Sequence, residues 1–154
     1  MKARVIAVSL MLCFAGAVLC LAENLNLGTW KLDEAKSKFS PGAPKSTMVS
    51  YETEGDSVKV TIDGIGFDGK PTHTEWTGKF DGKEYPVTGD SHQTSRSYVK
   101  VNAHTTKIKV KNGDKVILSG TIVTAADGKS RTVTASGTTA DGKKYSYTAM
   151  YDKQ

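Results

Sequence analysis

From Lys45 onwards, apolar and polar residues alternate with a period of two. Thr47, Val49, Tyr51 and Thr53 are set against Ser50, Glu52 and Glu54, and Val58, Val60 and Ile62 against Lys59, Thr61 and Asp63. Thr72, Thr74, Trp76, Gly78 and Phe80 form one side of the next segment, with His73, Glu75, Thr77 and Lys79 on the other. This alternation marks strands with one buried and one wet face. Further along, Val99 and Val101 make the apolar side of a strand, opposite Arg96, Tyr98 and Lys100. Thr106, Ile108 and Val110 then alternate with Lys107, Lys109 and Lys111, and Tyr145, Tyr147, Ala149 and Tyr151 share one face of the last strand. Residues 115–125 are apolar on both sides, as expected of a central strand. Pro86, which cannot donate to a ladder, marks residues 85–90 as an edge segment. Ahead of this run lies a short first strand, residues 28–32, with one of the two tryptophans of the chain. Asp33 is placed to cap one helical turn over Glu34 to Phe39, which the sequence Ser40-Pro41-Gly42-Ala43-Pro44 stops.

The punctuation between segments is that of hairpins. Asn112-Gly113 is the strongest turn signal, because both residues tolerate a positive φ. Asp-Gly-Lys occurs four times, at Asp68, Asp81, Asp127 and Asp141. Irregular spacing and position between strands make these turns rather than a calcium-binding repeat. The chain is therefore all-β, an antiparallel meander of roughly eight to ten strands. To bury one apolar face it must close into an up-and-down barrel, with a β-sandwich or an open half-barrel as alternatives.

The first 22 residues change the picture from fold to location. Lys2 and Arg4 precede an uncharged apolar run from Val5 to Leu21, and Cys20 and Ala22 supply small residues at −3 and −1. This predicts a signal peptide over 1–22, cleaved after Ala22, and one exported domain over 23–154, periplasmic or extracellular. A retained anchor is disfavoured by the missing basic stop, and a lipidated Cys20 by Leu19, which is large for the residue before such a cysteine. Both cysteines, Cys13 and Cys20, fall within the signal, so the remaining domain would have no disulfide and no thiolate chemistry. Removing the signal takes the 21 basic residues to 19 against 16 acidic ones. That mild excess does not argue for nucleic acid.

Gly28-Thr29-Trp30-Lys31-Leu32 resembles the opening strand of the calycins, the superfamily of lipocalins and fatty-acid-binding proteins. Tyr151-Asp152-Lys153-Gln154 is similar to the Tyr-Glu-Lys ending of the latter. The chain after the signal also looks like the small secreted lipocalin-like proteins of bacteria. The resemblance implies a lipocalin-like barrel and makes Trp30 a structural plug at its base. It also implies departures. Residues 33–44 are too few for the two-helix lid of fatty-acid-binding proteins. Their Arg-x-Tyr, whose arginine holds a carboxylate, is here Ala149-Met150-Tyr151, and the lipocalin Thr-Asp-Tyr motif is missing.

Other chemistry is sparse. Gly64-Ile65-Gly66-Phe67-Asp68-Gly69 spells G-x-G-x-x-G but leads into Lys70-Pro71 and a strand, not the helix a nucleotide site needs. His73-x-Glu75 lacks the later Cys-x-x-Cys of zinc deaminases, and His92 and His104 lie in separate turns, so no metal and no cofactor is expected. There is no Gly-x-Ser-x-Gly elbow, and the chain reads as a non-enzyme, with a hydrolase whose Ser-His-Asp set is assembled by the fold as a third reading. Lys107, Lys109 and Lys111 read as a solvated strand face that discourages edge pairing. What remains is a barrel whose interior takes a small apolar ligand. Val49, Tyr51, Val60, Trp76 and Phe80 are its candidate lining, with threonines and glycines leaving space. Because the last-strand arginine is absent, neutral ligands are expected to bind at least as well as acids. The alternative is a ligand-free barrel acting through surface contact with an envelope component or protein partner. Neither reading involves nucleic acid or stable membrane insertion after the signal is removed.

Overall fold

The computed structural model describes residues 24–154; residues 1–22, where the sequence predicts a signal peptide, lie outside the described residues. Ten strands follow one another: β1 (Gly28–Phe39), β2 (Lys45–Glu54), β3 (Ser57–Ile65), β4 (Pro71–Gly78), β5 (Tyr85–Thr88), β6 (Ser95–Lys100), β7 (Thr105–Asn112), β8 (Lys115–Thr124), β9 (Ser130–Thr138) and β10 (Lys144–Lys153). Each pairs antiparallel with its neighbours in the chain, and β1 pairs with β10, giving a closed ten-stranded up-and-down barrel. Closure leaves no edge, which is how an all-antiparallel sheet avoids unpaired ladders.

The Asp-Gly-Lys segments act as turns through one device. The side chains of Asp68, Asp81 and Asp127 accept a hydrogen bond from the amide two residues on, at 3.0, 3.0 and 2.9 Å. The glycine between takes a positive φ of 75°, 82° and 68° respectively, which an L side chain rarely adopts. The G-x-G-x-x-G segment is the β3–β4 hairpin, closed by the Gly66 amide on the Lys70 carbonyl at 2.9 Å, and no helix follows it.

Four expectations are corrected. Asp33 does accept the Lys36 amide at 3.1 Å, as a cap would, but no helical turn forms. β1 instead continues to Phe39 and bulges between Asp33 and Lys38. The unpaired side of β10 competes for the backbone and wins, because a ladder satisfies more groups than one isolated turn. Residues 85–90 are not an edge: β5 lies between β4 and β6, although it pairs at only two positions with each.

The face of β6 is the reverse of the expected one. Arg96 and Tyr98 point inward, while Val99 and Val101 are 40% and 51% exposed. Register explains this. Tyr98 pairs with Ile108 and Arg96 with Val110, whereas Val99 pairs with Lys107. The β7 lysines must face water, so their partners face out with them. Finally, β8 is not buried on both sides, since Val116 and Val123 are exposed. A bulge beside Val110 and Lys111 shifts its register, and every strand of a single closed barrel has one outer face.

Candidate functional site: the barrel interior

The turns β1–β2, β3–β4, β5–β6, β7–β8 and β9–β10 lie together at one end of the barrel. The other end is closed by aromatic rings. Trp76 lies 4.8, 5.8 and 6.2 Å from the rings of Tyr98, Tyr85 and Phe80. Its indole N–H donates to the Arg96 carbonyl at 2.9 Å. Trp30 is fully buried, and its N–H donates to the Asn26 carbonyl at 2.8 Å. Buried Trp N–H groups need such partners. Glycines make this filling possible. A Cβ on Gly78 would stand 2.6 Å from the Tyr85 ring and 2.7 Å from Trp76.

Above this floor, open to the mouth, is a cavity of about 470 Å³, within the size range of small-molecule sites. Val49, Ile62, Ile108, Val110, Ile122 and Val133 supply apolar wall. At the rim Phe67, from the β3–β4 hairpin, meets the edge of Tyr145 across the opening at 5.1 Å.

Of the candidate lining, Val49 and Tyr51 border this cavity, while Val60, Trp76 and Phe80 do not. Those three belong to the packed lower half, because the space at glycines such as Gly78 is taken up by rings rather than left open. Trp30 lies in the same lower layer, under the guanidinium of Arg131.

Two residues missed in the sequence dominate the interior. Arg131, on β9, is 2% exposed. Its guanidinium lies 4.5, 4.9 and 5.1 Å from the ring centres of Trp30, Tyr51 and Tyr151. Its Nε and Nη1 are buried without a hydrogen-bond partner. Arg96, on β6, is 8% exposed. It donates from Nη1 to the Tyr98 hydroxyl at 3.3 Å and from Nη2 to Gln93 Oε1 at 2.8 Å, and its Nε has no partner. Both border the cavity. Among the described residues neither forms an ion pair.

Arg96 reaches a carboxylate only through Gln93. Gln93 Nε2 donates to Asp90 Oδ2 at 2.7 Å. Burial works to raise the Asp90 carboxyl, but Gln93 and the amide and ring of His92 outweigh it and hold it below its ordinary range. The phenols do not provide countercharge. Burial pushes Tyr145 and Tyr147 up to about 12 and raises Tyr98 and Tyr151 further. They remain neutral at any ordinary pH. The expectation that neutral ligands bind at least as well as acids rested on the absence of an arginine in the last strand, and the interior holds two arginines from other strands.

The signal for these arginines was present but weak. Arg96 and Tyr98 are two apart and share a face, as do Arg131, Val133 and Ala135. For Arg96 the β7 lysines, through register, identify which face is inside, whereas Arg131 pairs with Tyr151 and Thr124.

The histidines do not converge. His73 contacts Asp63 on the outer wall at 2.7 Å, His92 sits at the mouth beside Asp90, and His104 contacts the Thr124 carbonyl at the closed end. Among the described residues no cluster of His, Cys, Asp and Glu is suited to a metal.

No family model matches the chain, and no curated protein does. Among solved structures it is similar to EF1p2_mFAP2b bound to DFHBI, with 12% identity and a TM-score of 0.47, over 84% of this chain and 94% of that one. It is also similar to a redesigned β-barrel, mFAP1, bound to DFHBI, with 14% identity and a TM-score of 0.46, over 84% and 95%.

Proposed function

We propose that the protein is an exported, lipocalin-like binding protein that holds one small, largely apolar molecule inside its barrel. The observation that carries this is the cavity of about 470 Å³, walled by aliphatic side chains and open at one end. A small barrel that only needed to be stable would fill its interior with side chains. This one fills its lower half and leaves the upper half empty. The predicted signal peptide supports delivery to the periplasm or the extracellular space. Nothing in the interior suggests bond-making chemistry, so the reading is a carrier or sensor rather than an enzyme. The test is native mass spectrometry of the protein purified from its own host. A single additional mass of one small molecule per chain is expected, lost on mild activation. A bare chain, with no saturable uptake from a panel of amphiphiles, would leave surface contact as the better reading. That second reading has one observation in its favour, the exposed Val99, Val101 and Val123 on the outer wall around Lys107.

A further inference from the structure

We infer that the molecule bound in the barrel carries one acid group, an oxyanion seated by Arg131 and Arg96 with its apolar part directed to the mouth. This rests on the cavity being a binding site, and it adds the ligand's charge and orientation.

The inference starts from charge. A guanidinium does not lose its proton in a protein. Both are more than nine-tenths buried. A buried cation is tolerated when it is paired and its N–H groups are satisfied, and is costly otherwise. Here three guanidinium nitrogens have no partner: Nε of Arg96, and Nε and Nη1 of Arg131. The possible compensations are all visible. The ring faces of Trp30, Tyr51 and Tyr151 attract the Arg131 charge but accept no ordinary hydrogen bond from Nε or Nη1. The phenols around them are neutral. Asp90 reaches Arg96 through Gln93, and no comparable chain reaches Arg131. Two cations facing one ionised carboxylate leave a single positive charge for the cavity contents to balance.

Geometry sets the direction of the ligand. Arg131 lies deep, against Trp30 at the closed end. Arg96 lies higher, linked to Gln93 in the β5–β6 turn. Tyr51 stands between them. Its ring centre is 4.9 Å from the Arg131 guanidinium and 6.3 Å from the ring of Tyr98, whose hydroxyl holds Arg96. The aliphatic wall continues upward through Ile62 and Val110 to Ile65 and Phe67 at the rim. An amphiphile entering head first passes Arg96 and ends against Arg131 at the bottom, with apolar surface along its tail. The reverse orientation would bury the tail against unpaired N–H groups and is excluded on the same grounds.

The experiment is a calorimetric titration with decanoic acid, decyl sulfate and decanol, each below the concentration at which it self-associates. The two acids separate a carboxylate seat from a general oxyanion seat, since only the carboxylate is lost on acidification. Decanoate is expected to bind at one site, at least tenfold tighter than decanol. Arg131→Gln and Arg96→Gln should each bring decanoate down towards the level of decanol and leave decanol within about twofold of its starting value. Arg131→Lys, which keeps the charge, should retain part of the preference and covers the case in which the glutamine variant does not fold. Decanol binding as tightly as decanoate overturns the acid seat and leaves the cavity reading intact. No saturable binding of any of the three overturns the cavity reading, and the acid seat with it.

Discussion

The guanidinium of Arg131 stands 4.5 Å from the centre of the Trp30 ring, although β9 and β1 are separated in the barrel by β10. The contact therefore spans the inner face of β10. It ties the floor of the cavity to the plug of the closed end, so a change at one residue is felt at the other.

Trp30→Ala should accordingly cost about 3–5 kcal/mol, the range for deleting a fully buried large aromatic side chain. Urea unfolding followed by circular dichroism measures it. A loss below about 1 kcal/mol would mean that the ring is not part of the closing layer.

Gly78→Ala tests whether the lower half is filled. The added methyl would meet Tyr85 and Trp76 within 3 Å. Overpacking of this kind costs about 1–3 kcal/mol. If the variant is as stable as the wild type, the rings have room and the floor is looser than described.

Stability should fall at alkaline pH. Tyr147 and Tyr145 are pushed by burial from 10.0 up to about 12 in the folded chain, and Tyr98 and Tyr151 are raised as well. A phenol whose folded pKa exceeds its unfolded one favours the native state fully below the unfolded value. That contribution is lost as pH rises from about 10 through the folded value. Urea midpoints should therefore stay level up to about pH 9 and drop steeply above pH 10, with phenolate absorbance appearing together with unfolding. Smooth titration of these tyrosines in a folded protein at pH 10 would contradict their burial.

The amides of β5 should exchange with solvent before those of any other strand. β5 spans Tyr85–Thr88, contains Pro86, and pairs at only two positions on each side. Short ladders open at low free energy. Hydrogen exchange read by mass spectrometry checks this, and protection of β5 equal to that of β3 would refute it.

If cleavage follows Ala22, protein recovered from its host begins at Glu23 and contains neither Cys13 nor Cys20. Reductant should then leave its thermal midpoint unchanged. N-terminal sequencing that finds a lipidated Cys20 would replace export as a free protein with membrane tethering.

The barrel itself was legible because period-two alternation and Asp-Gly-Lys turns are local signals. The directions of Arg96 and Tyr98 were not. A strand reading Arg-Ser-Tyr-Val-Lys-Val alternates equally well either way, and hydrophobicity alone selects the valines. What decides is the pairing of Val99 with Lys107, a fact about a neighbouring strand. The split of the interior was hidden for a related reason. Trp76 and Tyr51 look alike as inward aromatics, but only the first sits beside a glycine that admits the Tyr85 ring. Asp33 shows the opposite failure, since its capping hydrogen bond is real and the helix it announces is not.

The bulge in β1 also bears on the order of assembly. β1 is made first and its partner β10 last, so Phe39 waits for Tyr147 while the strands between them are completed. Pairings so distant in sequence form slowly. Until they form, β1 offers an open ladder to any other chain. The interruption between Asp33 and Lys38, with Lys36 projecting from it, makes a poor template for a foreign strand. It is nevertheless spanned by β10, where Ser37 Oγ accepts the Met150 amide at 2.9 Å. Straightening it by deleting residues within 34–37 should therefore raise aggregation during refolding more than it changes the stability of the finished barrel.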